Sequence, residues 1–154
     1  MREPIDIIET FIASGYRPQA RIPGNRVFLT DNTASTLVWV EGRVVIELYL
    51  LFPNTVTEPH AHPFINQMVF ISGDPVGLKV EDGRVRHKVF TDADIGVMGR
   101  FMPIGDRHGF NTGPLGAVFY NIQIWPENVT DPRSAAIEFL GPSMGPLHDA
   151  LRAQ

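Results

Sequence analysis

Cysteine is absent from this 154-residue chain, which excludes disulfide bonds, thiolate metal ligands and thiol nucleophiles. Basic clusters are missing too, and the net charge is −4, so the chain has no patch suited to a nucleic-acid backbone. The longest apolar run, residues 44–52, is broken by Glu47 and is far too short to cross a bilayer. The N-terminus, interrupted by Pro4 and Asp6, does not resemble a signal peptide, and the cytoplasm is the expected location.

The composition indicates a single globular domain. Hydrophobic residues make up 44% of the chain and charged residues 19%, which excludes an intrinsically disordered protein. The length suits one domain spanning residues 1–154 rather than two. With 14 glycines and 13 prolines, the sequence favours short strands joined by many turns.

Hydrophobic periodicity divides the chain into a short helix and a long β-rich region. Ile5, Ile8 and Phe11 recur at helical spacing and predict a helix over 4–13 that covers one side of the domain. Residues 126–154 are expected to form a C-terminal extension. Residues 26–125 predict about ten strands and therefore a β-sandwich or barrel: 26–30, 36–40, 43–51, 58–62, 67–72, 77–80, 85–90, 95–102, 107–110 and 117–125.

The segment 57–67 contains the first candidate site residues. Alternate residues of a strand share a face, so Glu58, His60 and His62 project together. Two imidazoles at this spacing can reach one transition-metal ion. Glu58 is the candidate catalytic residue, either as a general acid or base or as a carboxylate that orients an imidazole; the alternative is a rim carboxylate in solvent.

The second candidate segment is 99–111. Pro103 and Gly105 predict a tight turn, and His108 follows at the start of a strand. That position can present the His108 side chain at the mouth of a barrel.

Together the two segments resemble the two motifs of the cupin superfamily. His60-x-His62 followed after four residues by Gln67 resembles the first motif, and Pro103-x-Gly105-x-x-His108 resembles the second. The resemblance implies a single-domain cupin, an all-β jelly-roll barrel (a double-stranded β-helix) with its short N-terminal helix. It also implies one divalent transition metal (Fe, Zn, Ni or Mn) held by His60, His62, Gln67 and His108. Asn66 is expected on the opposite face, unless a bulge after Pro63 exchanges the two amides.

The ligand set departs from the family pattern at Gln67, where glutamate is usual. A neutral amide leaves nearly the full charge of the ion uncancelled, which favours anionic ligands such as carboxylates or enolates. The resemblance implies a metal-dependent enzyme acting on a small anionic or oxygenated molecule by Lewis-acid chemistry, of isomerase, lyase or cyclase type. Two alternatives stay open: an Fe(II) dioxygenase, and a non-catalytic barrel that binds metal or a small molecule.

Aromatic residues crowd both motifs, and some of them are expected to line the pocket. The candidate substrate-binding residues are Phe64, Phe101, Arg107, Phe110 and Tyr120. A homodimer is expected from the resemblance. The apolar residues within 26–51, among them Val38, are its expected contact surface.

Overall fold

A computed structural model describes residues 1–16, 27–29, 32–57, 59–132, 134 and 135. The predicted N-terminal helix is confirmed: α1 spans Pro4–Ala13. Proline suits the first helical turn, where its missing N–H has no partner in any case. The chain leaves the helix at Gly15, whose φ of +74° is open to glycine at little cost. Within the described ranges, no helix is both long and apolar enough to cross a membrane.

Among the described residues, six strands form one antiparallel sheet, which confirms the mostly β fold with a short N-terminal α-helix. The order across the sheet is β1-β2-β3-β6-β4-β5. The strands are β1 (Val27–Leu29), β2 (Thr33–Glu41), β3 (Val44–Leu51), β4 (Ile65–Glu81), β5 (Arg84–Val89) and β6 (His108–Ile124).

Two of these strands are much longer than predicted. The expected strands 67–72 and 77–80 are one strand, β4, and 107–110 and 117–125 belong to β6, which ends at Ile124. The apparent turn at 73–75 is a β-bulge inside β4, because glycine and proline mark bulges as well as turns. The expected strands 58–62 and 95–102 form only isolated bridges, at His60 and Met102.

The sheet folds over on itself at the middle of β4 and β6. The N-terminal half of β4 pairs with the C-terminal half of β6, and the remaining halves pair with each other beside β5. At the crossing Gly73 has a φ of +110°, and a Cβ there would lie 2.1 Å from the carbonyl oxygen of Gly116. No larger residue fits at Gly73, so its backbone passes directly against β6.

The two faces of the sheet carry different residues. On the outer face Ile7, Ile8 and Phe11 of α1 pack against a buried apolar cluster that includes Val38 and Ile46. Within the stretch 26–51 that is expected to form a dimer surface, Val38 and Ile46 are thus buried in the cluster with the chain's own helix. The inner face encloses a cavity, which contains the candidate site.

Candidate metal centre

Three histidines from distant parts of the sequence converge at the cavity. One ligand atom from each of His60, His62 and His108 lies within 4.8 Å of the other two. The centroids of the three rings are 4.8–5.2 Å apart. Among the described residues this is the one such cluster of potential metal ligands, and it contains no carboxylate.

Backbone hydrogen bonds hold the histidines together. The N–H of His60 donates to the carbonyl of His108 at 2.7 Å, and the N–H of His108 donates to the carbonyl of His60 at 2.9 Å. Such a reciprocal pair places both side chains on the same face. The predicted tight turn is confirmed, since the N–H of Asp106 donates to the carbonyl of Pro103 and Gly105 has a φ of +84°.

The turn also contacts the remaining histidine, because the N–H of Gly105 donates to the carbonyl of His62 at 3.4 Å. The two segments 57–67 and 99–111 are thus joined by these three main-chain hydrogen bonds and by a reciprocal pair between Asn66 and Met102, before any ion is considered.

The electrostatics favour uncharged imidazoles. Burial, with a further contribution from the neighbouring His60 and His108, lowers the pKa of His62 to about 3. Burial likewise lowers the pKa of His108. The Nδ1–H of His108 donates to the carbonyl of Asp106 at 2.9 Å, which leaves Nε2 as the free ligand atom.

The three histidines fit a transition-metal ion. Metal–imidazole bonds of about 2.0–2.1 Å require ligand atoms within about 4 Å of one another, so side-chain shifts of under about 1 Å suffice. The ring of His108 is already oriented by a carbonyl, as is usual for metal-binding histidines. Uncharged imidazoles such as those favoured at His62 and His108 are the ligands that an ion of the Fe, Ni or Zn type binds.

The two amides after the first motif have exchanged the faces expected for them. Asn66 lines the cavity, whereas Gln67 does not. Asn66 pairs with Gln123, another cavity residue, and Gln67 pairs with Ile122 of the outer apolar cluster. The Gln67 side chain donates to the carbonyl of Gly99. Gln67, the amide predicted as a ligand, thus lies away from the cavity and Asn66 faces it, because the strand face alternates at every residue.

The cavity has a volume of about 300 Å³ and a mixed lining. Phe64 and Phe110, two of the predicted substrate-binding residues, line it, and Phe64 stacks on the ring of His62 at 4.7 Å. Away from the histidines, the wall carries Glu47, Asn121 and Gln123.

Three other predicted substrate-binding residues lie outside the cavity. Phe101 and Tyr120 pack in the apolar cluster under α1, on the outer face. Arg107 is exposed, and its guanidinium donates to the carbonyl of Pro59 at 3.5 Å. The candidate catalytic residue Glu58 lies outside the described residues.

Glu47 was missed by the sequence reasoning as a site residue. It interrupts an apolar run, and that interruption is the signal in the sequence. Its importance follows only from its position, since it pairs across β3 and β6 with Asn121, on the cavity face.

No protein-family model matches the chain, and no curated protein matches it. Solved structures do match it. A variant of the Bacillus subtilis oxalate decarboxylase OxdC aligns with a TM-score of 0.57 at 18% identity, over 70% of this chain and 29% of that chain. The hydroxypropylphosphonic acid epoxidase of S. wedmorenis aligns with a TM-score of 0.53 at 10% identity, over 68% of this chain and 58% of that chain.

A third match is the formate complex of the Lactobacillus farciminis oxalate decarboxylase, with a TM-score of 0.53 at 16% identity, over 69% of this chain and 32% of that chain. The chain thus spans about a third of the decarboxylases and 58% of the epoxidase. At these identities the likeness shows the fold, and the fold is that of the cupins, as the sequence motifs predicted.

Proposed function

We propose that this chain is a metal-dependent cupin enzyme that acts on a small anionic or oxygenated organic molecule, of isomerase, lyase or cyclase type. The observation that carries the proposal is the convergence of three imidazoles, with no carboxylate among them, on one cavity. A divalent ion bound there would act as a Lewis acid on a carbonyl oxygen of the substrate.

The chain's own residues have separable tasks in this proposal. His60, His62 and His108 hold the ion, and Asn66 is the amide placed to add a fourth ligand because it faces the cavity. Phe64 and Phe110 supply apolar walls that exclude water. The cavity of about 300 Å³ suits a small molecule.

The proposed substrate class follows from the charge of the metal ion. The ligand cluster contains no carboxylate within the described residues, so the charge of a divalent ion is left for the substrate to neutralise. Carboxylates and enolates meet that requirement. The names of the matching oxalate decarboxylases, which refer to a small dicarboxylate, support the same class.

An Fe(II) dioxygenase is the second candidate. Fe(II)-HppE with an alternative substrate is among the matching structures, with a TM-score of 0.53 at 9% identity. The iron named in that structure supports the second candidate, an iron-dependent oxygen chemistry on the same fold. A non-catalytic binding protein is the third candidate, and it predicts metal binding without turnover.

Elemental analysis tests the metal site. Protein purified without a His-tag and without added metal is compared with His60→Ala, His108→Ala and, as the matched control, His87→Ala, an exposed histidine on β5. We expect about one ion per chain in the wild type and in His87→Ala, and loss of the ion in the other two. Absence of metal from the wild type even after reconstitution would contradict the proposal. Iron would favour the dioxygenase; zinc, nickel or manganese would favour Lewis-acid chemistry.

A homodimer and a cytoplasmic location complete the proposal. Light scattering during size-exclusion chromatography tests the dimer, which requires twice the chain mass of 17.2 kDa.

A further inference from the structure

Glu47 is a buried carboxyl group in the wall of the histidine cavity. It lies on β3 with 2% of its surface exposed, and it lines the same cavity as His60, His62 and His108. The rest of that face of β3 is uncharged. A lone carboxyl is costly to bury, so it is retained against a stability penalty.

The hydrogen bonds of Glu47 leave one oxygen open. The hydroxyl of Tyr49 donates to Oε2 at 3.1 Å, and the amide Nε2 of Gln123 donates to the same oxygen at 2.6 Å. Among the described residues no hydrogen bond reaches Oε1. Oε1 is therefore the atom of Glu47 that is available to a molecule in the cavity.

A third residue fixes the orientation of this carboxyl. The indole N–H of Trp125 donates to Oε1 of Gln123 at 2.9 Å, which turns the NH₂ group of that amide toward Glu47. Trp125 itself is 3% exposed and packed against Phe64. The chain Trp125–Gln123–Glu47 thus holds the carboxyl in one position, as a proton-transfer group requires.

The surroundings of Glu47 bring the pKa of its carboxyl group close to neutral pH. Burial raises the pKa of Glu47 to about 7, against the opposing effect of hydrogen bonds from Tyr49 and Gln123. Among the described residues, the other titratable groups lining the cavity are Tyr49 on the same strand and the three histidines; β2 and β4 contribute uncharged residues such as Thr33 and Asn66. Near neutrality both protonation states of Glu47 are populated, which suits an acid–base group.

We propose that Glu47 is the proton-transfer residue of this site, exchanging a proton through Oε1 with a carbonyl compound that lies between it and the histidines. This inference rests on the proposed function. Oε1 accepts the proton of a C–H bond next to the substrate carbonyl, the electron pair of that bond forms the C=C bond of the enolate, and the π pair of the carbonyl moves to its oxygen. The reverse step returns the proton to carbon. The substrate class narrows to small carbonyl compounds with an acidic C–H bond.

The first test needs neither metal nor turnover. Infrared difference spectra of the metal-free protein are recorded across a pH titration for the wild type, Glu47→Gln and the control Glu127→Gln, whose side chain is 87% exposed. We expect a protonated-carboxyl band that titrates near pH 7 in the wild type and in the control, and is absent from Glu47→Gln. Absence of the band from the wild type, or its persistence in Glu47→Gln, would overturn the proposal.

The second test counts protons. Acetylacetone, a small diketone that binds metal ions as its anion, is titrated into the zinc-loaded protein at about pH 8 in buffers of different ionisation enthalpy. We expect the wild type and Glu127→Gln to release clearly less than one proton, because the enolate beside Oε1 raises the pKa of Glu47 above its value of about 7 in the free protein, and the carboxyl takes up part of the proton. Glu47→Gln should release about one. Release of about one proton by all three proteins would overturn the proposal.

The two tests separate this proposal from the proposed function. Failure of zinc to bind refutes the metal site, and the infrared titration then decides the protonation of Glu47 on its own. Normal zinc binding with no difference between wild type and Glu47→Gln refutes the role of Glu47 and leaves the metal site standing.

Discussion

The two faces of the same sheet differ sharply in polarity. On β6, Tyr120 and Ile122 point outward into the apolar cluster under α1, whereas Asn121 and Gln123 point inward to the cavity. On β3, Ile46 points outward and its neighbour Glu47 points inward. One residue along the chain thus separates hydrophobic core from candidate site.

The outer cluster is apolar, whereas the inner face combines buried apolar residues such as Phe64 and Phe119 with the polar groups of the cavity. Apolar burial on the outer face contributes on the order of 25 cal/mol per Å². Buried polar groups on the inner face cost free energy unless they are hydrogen-bonded, and they offer little net stability when they are. Polar residues in the interior of a small domain are therefore best explained by the molecule that enters the cavity.

The largest effect on stability is expected from a substitution on the outer face. Phe11 is fully buried and makes edge contacts with Trp39 and Tyr120. Phe11→Ala should lower the free energy of unfolding by about 3–5 kcal/mol through the cavity it leaves. Urea unfolding measures the loss, and elemental analysis of the folded fraction should show unchanged metal content. Loss of metal from a still folded variant would contradict the separation of the two faces.

The next effect concerns the pH dependence of stability. The pKa of Glu47 is raised from 4.5 to about 7 in the folded protein, so the folded state binds more protons between these values. The contribution of Glu47 to stability should therefore decrease as pH rises through this window, by roughly 3 kcal/mol in all, while the lowered pKa values of His62 and His108 act in the opposite direction in both proteins. The comparison is urea unfolding of wild type and Glu47→Gln at about pH 4.5 and pH 8. The variant should lack this part of the pH dependence; an identical pH dependence in the two proteins would show that Glu47 is not buried in an uncharged form.

The two amides of β4 allow a sharper test of the faces. Asn66→Ala should weaken zinc binding by roughly 10-fold or more, because Asn66 faces the histidines' cavity. Gln67→Ala should leave zinc affinity nearly unchanged and lower stability by about 1–3 kcal/mol, since it removes a buried hydrogen bond to Gly99. Competition with a chelator and urea unfolding measure the two quantities. The reverse pattern would restore Gln67 as the ligand.

The smallest effect on stability is expected from a substitution at Tyr120. Its hydroxyl donates to the carbonyl of Tyr16 at 2.8 Å, on the face away from the cavity. Tyr120→Phe should cost about 0.5–1.5 kcal/mol of stability and leave acetylacetone binding to the zinc form unchanged. Calorimetry measures both the stability and the binding of acetylacetone. Weaker acetylacetone binding by Tyr120→Phe would indicate that Tyr120 contributes to the substrate site after all.

Local patterns in the sequence predicted the fold class and the convergence of three histidines. The helix at 4–13 follows from its apolar spacing, and the three histidines follow from motif spacing and a turn that needs Gly105. Each of these features depends on residues close together in the chain or on a spacing that a whole fold family shares.

The features that were mispredicted depend on register. The first cupin motif admits three or four residues between His62 and the next ligand, and a shift of one residue exchanges Asn66 with Gln67. Glycine and proline at 73–75 fit a turn or a bulge equally well, so the continuity of β4 could not be inferred. The significance of Glu47 depends on Gln123, 76 residues away, a pairing that no local pattern specifies.

The most direct test of the central claim is an anomalous-scattering map from crystals of the metal-loaded protein. The account predicts one peak per chain at about 2.0–2.2 Å from a nitrogen of each of His60, His62 and His108. His108 should bind through Nε2, because its Nδ1 donates to Asp106. A strong peak elsewhere, for example at His87, with none between the three histidines would contradict the account.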